Sequence, residues 1–122
     1  MGERRQGDGF KGRLDNLRSV VYGIYMIVWK EPIEFQWDSG NSRKNEKHKV
    51  INEEIEGAFN DRDKAISPDH EHSSVEQRYI LLGKTKTQRL LYIVFTLRTG
   101  IVRVISARDI NKKEVYLYEE AT

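Results

Sequence analysis

The sequence predicts an α+β domain in which helices come first, an antiparallel β-meander follows, and a helix ends the chain. Three runs in the second half, residues 78–82, 90–97 and 101–105, are rich in β-branched, aromatic and aliphatic residues, and short turns separate them. Elsewhere apolar residues recur three or four positions apart, which is helical spacing. With 122 residues, of which 38% are hydrophobic, the chain can bury one core.

The first elements are expected after a flexible N-terminal extension. Residues 1–18 mix charges with glycines and show no periodicity, and Met26 opens the compact part, so we expect the extension over residues 1–25 and a single domain over residues 26–122. Two short strands, 27–29 and 33–37, should open the domain, separated at Pro32, whose nitrogen cannot donate to a ladder.

Helices are predicted on both sides of the strands. Asp38 and the serine after it offer an N-cap to a polar helix over residues 41–48. Asn52 can cap a second helix, in which Ile55 and Phe59 are four apart and face the core. The same reasoning predicts a short strand at positions 64–67. It also predicts a last helix capped by Asp109 or Asn111, with Val115 and Tyr118 on one face.

The link between the last two strands is expected to be a three-residue hairpin, with Gly100 in the left-handed conformation. The register that follows pairs Leu97 with Ile101, Phe95 with Arg103, and Ile93 with Ile105. The face that carries Ile93, Phe95 and Ile105 should then pack on the helices.

Composition excludes several classes of protein. The chain has no cysteine, which excludes a disulfide scaffold, a thiolate zinc site and a cysteine nucleophile. The longest apolar run, residues 20–29, is well short of the roughly 18 to 20 residues that cross a bilayer. We therefore expect no membrane partner and a cytoplasmic location. Phosphate-binding glycine loops, nucleophile elbows and HExxH helices are also missing from the sequence.

Charge is segregated although the net charge is only +2. Between residues 50 and 77 the acids predominate: Glu53, Glu54, Glu56, Asp61, Asp63, Asp69, Glu71 and Glu76. Between residues 84 and 113 the bases predominate: Lys84, Lys86, Arg89, Arg98, Arg103, Arg108, Lys112 and Lys113. Such separation indicates a basic surface for a polyanion or an acidic partner, or else a solvated hairpin.

Two clusters of side chains contain histidine. Lys44, Lys47 and His48 share a helical segment, where a histidine beside lysines can protonate a phosphate oxygen, although ordinary surface charges would look the same. The second cluster is Asp69, His70, Glu71 and His72. It has the donors of a metal site without a dedicated zinc spacing, so an exposed loop is the preferred interpretation.

A third cluster depends on the fold. Glu76, Arg78, Arg98 and Arg108 are far apart in sequence, but the predicted sheet can bring them together. Arginine forks bind phosphate bidentately, and a carboxylate beside them can orient them or act as a general base. A salt bridge at the end of a strand is the alternative.

Six pieces of the sequence occur in the order of a known family. They are Phe35-Gln36-Trp37-Asp38; Asn45 with Lys47-His48; Asn52-Glu53-Glu54 to Phe59; His72-Ser73-x-x-Glu76-x-Arg78-Tyr79 ending in Gly83; Arg89-Leu90-Leu91 with Val94-Phe95-Thr96-x-Arg98; and Arg103 to Arg108, followed by Glu114 and Tyr118. Residues 33–120 thereby resemble the BrnT toxins of bacterial type II toxin–antitoxin modules. One departure is Lys49, which stands where the family usually has a glycine, so the turn there must form without glycine's freedom.

The resemblance implies a RelE-like fold and an endoribonuclease toxin that uses no metal and no other cofactor. It assigns phosphate binding to Arg98 and Arg108, with Arg78 third, and acid–base chemistry to His48 or Glu76, with Lys47 steadying the charge. The implied partners are RNA and a cognate BrnA-like ribbon-helix-helix antitoxin, in a complex of two copies of each chain. Operator DNA would be bound only through the antitoxin. A non-catalytic module that grips nucleic acid or an acidic protein is the alternative.

Overall fold

A computed structural model of the chain describes residues 17–22 and 25–121. Its elements are β1 (Leu17–Tyr22), β2 (Tyr25–Lys30), α1 (Ser39–Glu46), α2 (Asn52–Phe59), β3 (Ala65–Pro68), β4 (Arg78–Lys84), β5 (Leu90–Arg98), β6 (Ile101–Asp109) and α3 (Lys112–Ala121), with a short 3-10 turn at His70–His72. Of the expected N-terminal extension, residues 1–16, 23 and 24 lie outside the described residues. β1 falls within that extension and pairs antiparallel with β2.

The main sheet is antiparallel, with strand order β3-β4-β5-β6. This confirms the α+β class, the meander and the closing C-terminal helix. The strand expected at residues 33–37 is wrong, because this segment shares only one parallel bridge, Phe35 to Val102, with β6. Two hydrogen bonds hold it there, from Gln36 N to Val102 O (2.8 Å) and from Val102 N to Glu34 O (2.9 Å).

The core lies between α2 and one face of the sheet. Ile93 and Phe95 of β5 are fully buried, as expected. The rings of Phe59 and Phe95 meet edge to face with centroids 5.0 Å apart, an arrangement that aromatic pairs favour. Gly83 of β4 lets α2 approach closely, because a Cβ there would lie 2.6 Å from the carbonyl oxygen of Ala58.

The predicted register of the β5–β6 hairpin is wrong by one residue. Arg98 pairs with Ile101, so the turn consists of Thr99 and Gly100 alone, with φ angles of 56° and 79°. Two left-handed residues make a type I′ turn, whose twist matches that of the strands. The buried residues of β6 are therefore Val102, Val104 and Ala107 rather than Ile105. Ile105 is left unpaired in a bulge of β6, where the register shifts between Val94 and Phe95, and this bulge keeps both ends of β6 in contact with the core.

Two of the three predicted caps are confirmed. Asp38 Oδ1 accepts from Asn41 N (2.9 Å) at the start of α1, and Asn111 Oδ1 accepts from Glu114 N (2.9 Å) at the start of α3. The cap predicted at Asn52 is wrong, because that residue is already helical and Ile51 occupies the cap position. There the carboxylate of Glu54 accepts from Ile51 N (3.1 Å) instead.

Candidate anion-binding pocket on the open face of the sheet

A cavity of about 300 Å³ lies on the face of the sheet opposite the core. Its lining residues are Gly40, Asn41, Glu76, Arg78, Thr96, Arg98, Arg103, Val104 and Ile105. We call it the basic pocket. Three of the residues predicted to form a site, Glu76, Arg78 and Arg98, come together here.

The pocket is built on a row of residues that crosses three strands. Thr96 on β5 pairs with Arg78 on β4 and with Arg103 on β6. Directly opposed residues on neighbouring strands have Cβ atoms roughly 4.5–5.5 Å apart. The Cβ atoms of both arginines therefore lie next to that of the threonine. The Thr96 hydroxyl donates to Gln77 O (2.8 Å) and fixes the centre of the row.

The guanidinium groups differ in how they are held. Arg98 Nη2 lies 3.5 Å from Glu76 Oε1, and the two side chains are 53% and 34% exposed, so solvent screens this pair strongly. Arg103 Nη1 lies 2.8 Å from Asp38 Oδ2. The side chain of Arg78 has no ion pair or hydrogen bond among the residues that the structure describes.

Asp38 supports the pocket from the start of α1. The N–H of Asn41, and then the guanidinium of Arg103, lower the pKa of the Asp38 carboxyl below its usual value. The carboxylate is therefore charged at neutral pH and holds Arg103 beside the start of the helix. Sequence reasoning did not find this pair, because the wrong hairpin register placed Arg103 opposite Phe95 on the core face. The observed two-residue turn at Thr99 and Gly100 places Arg103 on the open face, and no local sequence pattern marks that turn.

Arg108 lies outside the basic pocket. Five positions along β6 from Arg103, it is roughly 16 Å away at about 3.3 Å per residue. Its guanidinium makes two bonds to the Glu114 carboxylate (2.8 and 2.7 Å) and stacks 3.9 Å from the ring centroid of Tyr92. Arg108 lowers the pKa of Glu114 and joins α3 to the sheet.

Lys47 and His48 also lie outside the pocket. Both follow the end of α1 and are exposed, while the side chain of Lys44 is not among those described. The carbonyl of His48 accepts from Arg89 Nη2 (3.2 Å), so this turn is fixed to the start of β5. Lys49 adopts a φ of 56°, the left-handed conformation that glycine adopts most readily, so the turn forms here without glycine.

The second predicted cluster, Asp69 with His70, Glu71 and His72, lies at the short 3-10 turn and the residue before it. His72 Nδ1 lies 3.0 Å from Asp69 Oδ2, at the turn that follows β3. Within residues 25–121, no three His, Asp or Glu side chains are placed to hold a metal ion. No helix in the described part of the chain is long and apolar enough to span a membrane.

Fold and site together define a small α+β protein with an arginine-lined pocket on an open sheet face. A family model described as "Ribonuclease toxin, BrnT, of type II toxin-antitoxin system" matches residues 37–114. Because this is well over half of the 122 residues, the chain belongs to the BrnT family, whose members are ribonuclease toxins paired with an antitoxin. The matched segment includes the whole basic pocket. No curated protein matches the chain.

Proposed function

We propose that this protein is an endoribonuclease toxin that cleaves RNA at the basic pocket by acid–base chemistry without a metal ion. The observation that carries the proposal is the convergence of three arginines and one carboxylate on a single cavity. Family membership supports RNA as the substrate and an antitoxin as the partner. We also propose that the domain spans residues 26–122, has a RelE-like fold and acts in the cytoplasm.

The arginines would bind the scissile phosphate. Guanidinium forks match phosphate geometry bidentately. Arg78 is the best placed, since no described side chain competes for its guanidinium. Arg98 is held only by the exposed 3.5 Å pair with Glu76, which a phosphate can displace. Arg103 is positioned in advance by Asp38.

Glu76 would act as the general base. It takes the proton from a ribose 2′-hydroxyl, the 2′-oxygen forms a bond to phosphorus, and the bond to the 5′-oxygen breaks. The products are a 2′,3′-cyclic phosphate and a 5′-hydroxyl. The three guanidiniums stabilise the charge on the phosphorane, where loss of one such donor typically costs a factor of 10²–10³ in rate.

The other predicted site residues receive revised roles in this proposal. His48 and Lys47 lie at the far end of α1, so we assign the base to Glu76 rather than to His48. Arg108 is bound to Glu114 and stacked on Tyr92, so we assign it to holding α3 in place. The proposed antitoxin is a ribbon-helix-helix protein, present with the toxin as two copies each, and it alone contacts operator DNA.

Product analysis tests the proposal. The purified protein is incubated with an RNA oligonucleotide in excess chelator, and a matched oligonucleotide carries a single 2′-deoxy nucleotide at the scissile position. We expect a 2′,3′-cyclic phosphate product from the first and no cut at that position in the second. Cleavage that needs added metal would overturn the mechanism. Tight binding without cleavage would instead support the non-catalytic binding module.

A further inference from the structure

We propose that His72, oriented by Asp69, is the general acid of this reaction and protonates the departing 5′-oxygen. This inference rests on the proposed ribonuclease function. It starts from a group that the pocket lining does not include, the Asp69–His72 pair beside β4.

The register of the sheet places Asp69 next to the pocket. Pro68, the last residue of β3, pairs with Tyr79, and Asp69 N donates to Arg78 O (2.8 Å). Asp69 therefore continues the ladder opposite Arg78. Opposed residues in a ladder share one face of the sheet, so the row that crosses the pocket is Asp69, Arg78, Thr96 and Arg103. With strands about 4.8 Å apart, Asp69 lies roughly 5 Å from Arg78 at the backbone.

Asp69 and His72 form an oriented pair. Nδ1 of His72 is 3.0 and 3.2 Å from the two carboxylate oxygens of Asp69. The Asp69 side chain is only 9% exposed, whereas that of His72 is 61% exposed. A carboxylate that accepts from Nδ1–H fixes the tautomer and stabilises the imidazolium, which leaves Nε2 to exchange protons with a substrate.

The turn that carries His72 is fixed to the backbone of a pocket residue. Ser73 Oγ donates to Asp69 O (2.6 Å) and accepts from Arg78 N (3.0 Å). Both ends of the 3-10 turn are thus bonded to Arg78, through Asp69 on one side and Ser73 on the other. The turn that carries His72 is therefore anchored to the backbone of the phosphate-binding arginine.

The chemistry needs such a group. Protonation of the 5′-oxygen requires an acid, and an arginine does not release its proton at physiological pH. His72 would give its Nε2 proton to the 5′-oxygen as the P–O5′ bond breaks and its electron pair moves to oxygen. Glu76 holds the proton of the 2′-hydroxyl, and exchange with water restores both groups. Histidine is the side chain best suited to this exchange near neutral pH.

A substrate with a better leaving group distinguishes a role of His72 as general acid from a purely structural role of the same residue. We compare cleavage of RNA with cleavage of an analogue in which sulfur replaces the bridging 5′-oxygen at the scissile phosphate, since a thiolate leaves without being protonated. For His72→Ala we expect a loss of about 10²–10⁴-fold on RNA and a rate close to wild type on the sulfur analogue. Asp69→Asn should show the same pattern with a smaller loss.

His70→Ala, a change in the same turn, is the matched control and should leave both rates unchanged. Equal losses on the two substrates for His72→Ala, or no loss on either, would overturn the role of His72 while leaving the ribonuclease function intact. Wild-type protein that cleaves neither substrate would overturn the proposed function and this inference with it.

Discussion

The Nη1 atom of Arg103 lies 2.8 Å from Oδ2 of Asp38, the residue that caps α1. One carboxylate therefore has two tasks, since its other oxygen accepts the N–H of Asn41. The start of a polar helix is thereby joined to the first half of β6. This relationship explains how a helix with little apolar surface can help to shape the pocket.

Two substitutions separate these tasks. Asparagine is a good N-cap but cannot form the ion pair, so Asp38→Asn should raise KM for RNA several-fold and leave the melting temperature nearly unchanged. Asp38→Ala removes both interactions and should also lower the melting temperature. Kinetics and thermal unfolding of the two variants give the measurement. If activity falls only when the melting temperature falls, Asp38 does not position Arg103.

Gly83 should not tolerate a side chain. A Cβ at this position would lie 2.6 Å from the carbonyl oxygen of Ala58, so Gly83→Ala should destabilise the fold by about 1–3 kcal/mol, as overpacking usually does. Gly57→Ala is the control, because the nearest atom to its Cβ would be 3.6 Å away. That change should stabilise α2 by about 0.5–1 kcal/mol. Urea unfolding measures both, and equal effects would contradict the close packing of α2 on β4.

Acid should weaken the attachment of α3. Burial raises the pKa of Asp61, but hydrogen bonds from the Tyr118 hydroxyl and from the N–H groups of Asp63 and Lys84 outweigh it, so the folded pKa is lowered. A lowered carboxyl pKa adds stability above the unfolded value of about 3.9, and this is lost as pH falls through the folded pKa. The unfolding free energy should therefore fall with pH below about 4. Asp61→Asn should reduce this slope, and an unchanged slope would contradict the assignment.

Docking of the antitoxin should depend on charge. If acidic residues of the antitoxin cover the basic pocket, complementary fields speed association, and salt screens them. We expect the association rate to fall as ionic strength rises, and Arg98→Glu to slow association far more than Arg62→Glu, an exposed change outside the pocket. Stopped-flow or surface-binding kinetics give these rates. An association rate that does not change with salt concentration, or equal effects of Arg98→Glu and Arg62→Glu, would argue against docking at the pocket.

The sequence predicted most elements because periodicity and turn residues are local signals. It placed the strands of the meander, two caps and the buried face of β5. It did not predict the hairpin register, because a change of one residue in the length of the turn moves every side chain of the strand to the other face of the sheet. Nothing local marks Thr99 as left-handed. Glu76, Arg78 and Arg98 were predicted as a group and Arg103 was counted among the bases of the basic surface, but its pairing with Asp38 beside that group was not predicted. Arg108 was misplaced because its pairing with Glu114 depends on how α3 packs.

The central claim is that the arginines of the basic pocket carry the cleavage of RNA, and the most direct measurement is kcat/KM for Arg78→Ala against Arg62→Ala. Arg78 has no described partner for its guanidinium, so its removal should leave stability almost unchanged and lower kcat/KM by about 10²–10³-fold. Arg62→Ala should be indistinguishable from wild type. An Arg78→Ala variant that is folded and as active as Arg62→Ala would contradict the account.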